Sequence, residues 1–485
     1  MYREKTKWER TLIDAIQSMR KLCDVGICKN VALGLAAYKF LSDSHPKLKR
    51  DWSFPLILNR ARDGFLETDD LAQVLEGTSL AIPRCNGIFD DIKEQLQELA
   101  PSEDKRKDTV KGITEALAPF DFSKMNPTER GISYARQIEA LSSNRKTSIS
   151  ITPANVSELI ACMITIGKQD VKTFSIYDPT MGTASLLLKT GIALSEETTV
   201  SYYGQEINHQ VICIARRNFL MHGIAPETVH LKEGDTLVED AFIHQTGDTS
   251  YDAVVMNPPY GAHWSADPNL IYDPRFADVG LLPPRTHADN AFLLHGLHHL
   301  KDDGIMVILL PHGVLFRGGT DGKIRQYLID RGNIDAIIGL PANLFYGIKI
   351  PFALLILKKQ RRNHDILIID ASKEYEQNGR QNYLTKNNIQ RILNAYRHRA
   401  EVSRFCHLAA LDEIRANDYN LNIPRYVDTF EPAPECDIMQ LTKNLSIRNE
   451  QMIKNKVELS RAIKQLKPLD KDTSQAIQAL LNLLK

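Results

Sequence analysis

The stretch that most constrains the fold runs Tyr251-Asp-Ala-Val-Val-Met-Asn-Pro-Pro-Tyr260. Val254, Val255 and Met256 are apolar and bounded by a turn signal, the pattern of a buried strand in a parallel sheet. Two consecutive prolines then end the strand, because they bring no N–H to a ladder and hold the backbone extended. The Asn257 amide, the Pro258 carbonyl and the Tyr260 ring are thereby presented together at the strand's carboxyl end, where open α/β sheets bind ligands. The Asn257 side-chain oxygen and the Pro258 carbonyl are both acceptors. Together they can take the hydrogens of one NH₂ group, drawing its lone pair out of conjugation. Tyr260 offers a flat face, worth roughly 1–3 kcal/mol per stacked base. The group suits a planar exocyclic amine such as that of adenine. The plainer alternative is a strand-to-loop turn with a chance Asn-Pro-Pro-Tyr, and context decides between them.

The context is an alternation of strands and helices, the mark of a doubly wound sheet. A strand over 174–177 leads into Asp178-Pro-Thr-Met-Gly-Thr-Ala-Ser185 and an apolar helix from Leu186. A turn of small residues there brings a ligand to the backbone at a helix N-terminus. Its glycines are sparser than in a dinucleotide fingerprint, so it suits a non-phosphate nucleoside better than a phosphate. The strand over 200–206 ends in Glu206, where a ribose needs an acceptor; an exposed strand-end glutamate is the ordinary alternative. A helix over 208–222 stops at Gly223. The strand over 229–233 leads to Gly234-Asp235, an acceptor for an adenine amino group or else a turn residue. Beyond the central stretch, a long loop from Gly261 to His287 reads as a lid or binding loop. A helix over 290–300 carries Phe292, and strand 304–311 and helix 321–330 follow. Strands 334–340 and 352–358 are neighbours, joined by a loop with Phe345 and Tyr346. Residues 365–370 read as an edge strand.

Residues 1–140 form a helical domain with apolar stripes at Leu12, Ile16 and Met19 and at Ile92, Leu96 and Leu99. Ser148-Ile-Ser-Ile-Thr-Pro153 introduces a helix over 154–166, with Thr152 as N-cap and Pro153 at the first helical position. The sheet domain spans 141–425. A tail over 426–485 follows a proline-marked boundary (Asn422-Ile-Pro-Arg-Tyr426, Glu431-Pro-Ala-Pro434). It is helical with a break near Pro468 and carries a seam of Leu441, Leu445, Met452 and Ile453, which packs on its own domain or zips onto another chain. Sixty basic and sixty acidic residues leave a formal net charge of +0. A protein that gripped DNA alone would show a basic surplus, so affinity for nucleic acid must come from a local patch or a partner subunit. The seven cysteines are scattered without metal spacing, which points to reduced thiols in the cytoplasm and no zinc. No apolar run is long enough to span a bilayer, and no signal-peptide core is present.

The ordered set Ser148–Pro153, Asp178–Ser185, Glu206, Asp235, Asn257–Tyr260, Phe292, Gly304–Pro311 and Leu340–Phe345 resembles S-adenosylmethionine-dependent N6-adenine DNA methyltransferases. More narrowly, the whole chain resembles modification subunits of type I restriction–modification systems, including the stretch Val31-Ala-Leu-Gly-Leu-Ala-Ala-Tyr-Lys-Phe-Leu-Ser-Asp43. The Thr152-Pro153 element precedes the turn, which precedes the Asn257 strand, as in the gamma order of amino-methyltransferases. The resemblance implies a Rossmann-like α/β methyltransferase sheet with an N-terminal helical domain and a C-terminal helical tail for subunit assembly. It implies cofactor-binding roles for Thr152, Pro153, Asp178, Gly182, Thr183, Glu206, Asp235 and Phe292. Glu206 would take the ribose hydroxyls and Asp235 the cofactor adenine N6, with Phe292 against that ring. It implies catalytic roles for Asn257, Pro258, Pro259 and Tyr260, with Tyr260 and Phe345 stacking the flipped base, and no metal. The implied partners are double-stranded DNA with a flipped adenine, a specificity subunit that reads the sequence, a restriction subunit and a second copy of the chain. One departure stands out: the family's turn often has further glycines where this chain has Ala184 and Ser185. The competing readings are a non-catalytic DNA clamp or scaffold and a methyltransferase acting on RNA or protein glutamine.

Overall fold

The computed structural model describes residues 5–45, 53–82, 85–140, 151–243, 250–379, 381–429, 437–468 and 470–484. Ser148–Ser150, the proline boundary over 431–434 and Cys436 lie outside the described residues. Eleven strands are present among the described residues: β1 (Thr173–Asp178), β2 (Thr199–Glu206), β3 (Val229–Glu233), β4 (Tyr251–Met256), β5 (Leu300–Pro311), β6 (Ile334–Gly339), β7 (Phe352–Leu357), β8 (Ile366–Asp370), β9 (Glu376–Asn378), β10 (Gln381–Tyr383) and β11 (Cys406–Ala409). Nine of them form one sheet in the order β11-β8-β6-β7-β5-β4-β1-β2-β3. Only β7 and β11 run antiparallel to their neighbours. The apolar runs of β6 and β7 are buried throughout, as expected of strands covered on both faces.

Winding proceeds from β1 outward through β2 and β3 on one side, and from β4 outward through β5 on the other. The order reverses between β1 and β4, so the loops after those two strands diverge and leave a crevice at their carboxyl ends. Alternate residues of β4 feed the two faces: Ala253 and Val255 join one core, Val254 and Met256 the other. The first face is covered by helices Ala154–Ile164, Ser185–Ile192, His209–His222 and Lys386–His398, the second by Asp289–His298 and Gly319–Asp330.

Three features differ from the sequence expectations. Residues 366–370 are not at the sheet edge, because β11 pairs antiparallel with β8 and takes that place. A short β9–β10 hairpin is also present. It pins the loop between β6 and β7: the Asn382 N–H donates to the Asn343 carbonyl at 3.0 Å, and its Nδ2 to that of Ala342 at 2.9 Å. Finally, the helix N-cap is Pro153 rather than Thr152, and the first helical residue is Ala154.

The first 140 residues contribute seven α-helices among the described residues, packed around Trp8, Leu35, Tyr38 and Phe89. Helix His209–His222 belongs to both cores. Its Ile212, Cys213 and Phe219 face the sheet, while Ile214 and Met221 enter the helical core. Arg217 on this helix is fully buried and grips Asp91 through two hydrogen bonds of 2.9 and 2.8 Å. Residues Met1–Thr429 accordingly form one compact unit, and Phe430–Lys485 another. In the second unit, helices Ile438–Lys464 and Lys471–Leu483 flank the expected break; Leu441, Leu445, Met452 and Ile453 are exposed and Ile463 is buried. No described helix is long and apolar enough to cross a membrane.

Removing one partner of a buried ion pair leaves an uncompensated charge, at a cost of about 3–5 kcal/mol. Asp91→Ala is therefore expected to lower unfolding stability by about that amount, whereas Asp91→Leu combined with Arg217→Met recovers most of it. Chemical denaturation of the three chains checks this; a double variant as unstable as the single one contradicts it.

Candidate active site at the reversal of strand order

Asn257, the first residue beyond β4, is half-buried, Pro258 is buried and Pro259 is exposed. The Asn257 Nδ2 donates to Thr152 Oγ1 at 2.9 Å, and its Oδ1 accepts from the Tyr260 hydroxyl. Thr152 thus partners Asn257 across 105 residues of chain instead of capping the following helix. The Tyr260 ring lies 4.3 Å from that of Phe352 and 6.0 Å from that of Phe345, centroid to centroid. Burial pushes the Tyr260 phenol well above its ordinary range. Phe345 is 4% exposed and backs Tyr260, while the outward aromatic of the same loop is Tyr346, 54% exposed.

On the other side of the crevice, the turn after β1 is built on left-handed backbone at Gly182 (φ 53°) and Ala184 (φ 60°). An L-residue there costs roughly 1–2 kcal/mol relative to glycine. Hydrogen bonds hold the turn in place. The Met181 N–H donates to the Gln205 carbonyl at 3.1 Å, the Ala184 N–H to the Met181 carbonyl at 2.8 Å, and Asn218 Nδ2 to the Thr183 carbonyl at 2.9 Å. Ala184 therefore keeps the backbone shape that glycine would take, and Ser185 begins the next helix in ordinary geometry. Asp178 is buried beneath the turn and accepts from the Thr180 N–H at 2.9 Å. Burial pushes its carboxyl up to about 7.

Glu206 closes β2. Its Oε2 accepts from the Gly182 N–H at 3.1 Å and its Oε1 from the Asn208 N–H at 2.9 Å. Burial raises its pKa. Each carboxylate oxygen can accept about two hydrogen bonds, so capacity for a further donor remains. Asp235 is exposed and accepts from the Leu237 N–H at 2.9 Å. Its loop is tied down by neighbours that sequence reasoning missed. Thr236 Oγ1 donates to the Pro179 carbonyl at 2.6 Å, and Arg275 NH1 donates to the Thr236 carbonyl at 2.8 Å. Arg275, from the long loop, also pairs with Asp273 at 2.8 Å and reaches His295 Nδ1 at 3.2 Å. Asp240, His295 and His299 have metal-type spacing, but the guanidinium lies against one nitrogen of His295 and the Tyr177 hydroxyl lies 2.8 Å from the other. The cluster therefore reads as an internal hydrogen-bond network. Phe292 is buried in the core that contains Leu237 and Trp264. Direct contacts thus link Thr152, Asn257, Tyr260 and Phe345 on one side and Gly182 with Glu206 on the other.

Acceptors thus stand at the carboxyl ends of the strands on both sides of the reversal, Asn257 just beyond β4 and Glu206 at the end of β2. The family model described as N-6 DNA Methylase matches residues 131–434. The type I restriction enzyme MpnII methylase subunit of Mycoplasma pneumoniae is 33% identical over 392 residues, covering 78% of this chain and 72% of the relative. The MjaVIII methylase subunit of Methanocaldococcus jannaschii is 30% identical over 370 residues, 73% of this chain and 63% of the relative. Among solved structures, the type I restriction–modification methyltransferase subunit from Streptococcus thermophilus superposes with a TM-score of 0.80 at 36% identity, covering 87% of this chain and 99% of that one. The chain belongs to the N-6 DNA methylase family, as the modification subunit of a type I restriction–modification system.

The Asp178 carboxyl stays neutral in the folded chain up to about 7, whereas in the unfolded chain it ionises near 3.8. A raised carboxyl drains stability as pH climbs between those values, and the loss is complete above the upper one. Asn keeps the oxygen that accepts from Thr180 and removes the charge. Asp178→Asn is expected to stabilise the ligand-free chain by about 2–4 kcal/mol at pH 8 and by little near pH 4. Denaturation at the two pH values checks this; an equal difference at both contradicts it.

Proposed function

We propose that this modification subunit takes its methyl group from S-adenosylmethionine, bound against the loops after β1, β2 and β3, and delivers it to an adenine N6 held by Asn257 and Pro258. The observation that carries the reading is the placing of Asn257 just beyond β4 and of the Gly182 turn and Glu206 beyond β1 and at the end of β2, on the two sides of one reversal of strand order. The residues of the first wall fit the cofactor. The left-handed turn at Gly182 and Ala184 lets a ligand approach the backbone, and Glu206 has acceptor capacity left for a ribose hydroxyl. Asp235 is exposed to accept from an amino group, and Asp178, Thr183, Thr152 and Pro153 lie on the elements that border the turn and the Asn257 strand. Phe292 is assigned to the core behind the adenine. When bound there, S-adenosylmethionine supplies an electrophilic methyl on a sulfonium.

The chain's own residues do the rest. The Asn257 oxygen and the Pro258 carbonyl accept from the target NH₂, localise its lone pair and aim it across the crevice, and the methylated nitrogen returns to neutrality by releasing one N–H proton to water; positioning supplies most of the rate. Thr152 holds the Asn257 amide in register by accepting from its Nδ2. Tyr260, backed by Phe345 and followed by the stiff Pro259, stacks the extruded base. To admit the amine, the Tyr260 hydroxyl yields its place on the Asn257 oxygen. The neutral charge supports a division of labour in which a separate specificity subunit grips and reads double-stranded DNA. The exposed seam of helix Ile438–Lys464 supports an assembly role for the tail, in a cytoplasmic complex with a second copy of the chain and a restriction subunit.

Asn257→Ala and Tyr260→Ala are each expected to cut methylation by the assembled complex at least a hundredfold while S-adenosylmethionine binding stays within about threefold of the parent. A chain ending at residue 429 should bind the cofactor equally well and lose methylation through failure to assemble. Calorimetry and labelled-methyl transfer measure both quantities. Loss of cofactor binding in both point variants, or full methylation by the shortened chain, contradicts the assigned roles.

A further inference from the structure

Asn218 lies in the interior of helix His209–His222 with no exposed surface. A buried amide in a helix core is unfavourable unless its polar atoms are bonded, and leucine fills the same space without that penalty. Asn218 is only half compensated: its Oδ1 is buried with no partner among the described residues, and its Nδ2 makes one bond there, to the Thr183 carbonyl. That carbonyl lies between the two left-handed residues of the turn, Gly182 and Ala184. The neighbouring Arg217 is locked to Asp91, which fixes the helix that carries Asn218 against the N-terminal helical core. The one side-chain bond of a costly buried group thus falls on a turn with two left-handed residues.

We propose that Asn218 is a positioning residue for the methyl donor, holding the Met181–Ser185 turn in its binding-competent shape against the conformational preference of Ala184. The inference rests on the reading that this turn receives S-adenosylmethionine. Without the Asn218 bond, a chain with alanine at 184 spends only a fraction of its time with the turn formed, and apparent affinity falls by that fraction. Glycine at 184 removes the preference and with it the need for the bond. Once the cofactor has bound, the turn is held in place, so turnover at saturation does not depend on Asn218.

The test uses the full-length chain, alone for calorimetry with S-adenosylmethionine and assembled with its specificity subunit for kinetics. Asn218→Leu is expected to weaken cofactor binding and raise its KM about tenfold, with kcat unchanged. Adding Ala184→Gly to that variant is expected to restore most of the affinity. An unchanged dissociation constant overturns the proposal, as does a loss that glycine does not restore or one that falls on kcat. Should the leucine chain not fold, Asn218→Ser, too short to reach the Thr183 carbonyl, is judged by the same readouts. A parent chain that binds no S-adenosylmethionine contradicts the proposed function itself, whereas a parent that binds and a variant that matches it contradict only the role of Asn218.

Discussion

The structure depends on one steric constraint: a buried apolar strand that two prolines bring to an abrupt end. Inside the sheet, β4 must pair with β1 on one side and β5 on the other, and Pro258 and Pro259 can extend neither ladder. The chain leaves the sheet where the strand order reverses, so Asn257 emerges into the crevice between diverging loops. Once there, its amide is held from two directions, by Tyr260 three residues on and by Thr152 from a distant part of the chain.

The opposite wall is assembled by different means. The loops after β1, β2 and β3 are cross-tied by single hydrogen bonds from Met181, Gly182, Thr236 and Arg275. Several of these groups are buried, and burial raises the carboxyls of Asp178 and Glu206. Such groups cost the fold stability. A turn with two left-handed residues, one of them alanine, adds a further roughly 1–2 kcal/mol. Strain and buried polarity concentrate at functional sites, and the surrounding packing offsets them. Here a helix that belongs to both cores and is anchored by Arg217 and Asp91 carries the Asn218 amide that bonds the turn.

The strands that position the site were legible in the sequence, because their apolar runs and turn residues are strong signals: β1, β2, β4, β6 and β7 lie within a residue or two of where periodicity put them. β11 was not, since Cys-His-Leu-Ala is four residues long and has no alternation to detect. The β9–β10 hairpin is polar and three residues a side, so its pattern is that of a loop. Thr152 reads as a cap because Thr-Pro before an apolar run is a good local signal; its partner Asn257 lies 105 residues away, where local reading has no reach. Asn218 and Arg275 escaped for a related reason. A polar residue in a helix or loop reads as surface until the fold closes over it.

The most direct test of the central claim is transfer of labelled methyl from S-adenosylmethionine to duplex DNA by the full-length chain, with and without its specificity subunit, followed by digestion of the product to nucleosides. The expected result is label on adenine N6, and only when the specificity subunit is present. Cofactor binding with no label on any DNA, or label on another base, RNA or protein, would contradict it.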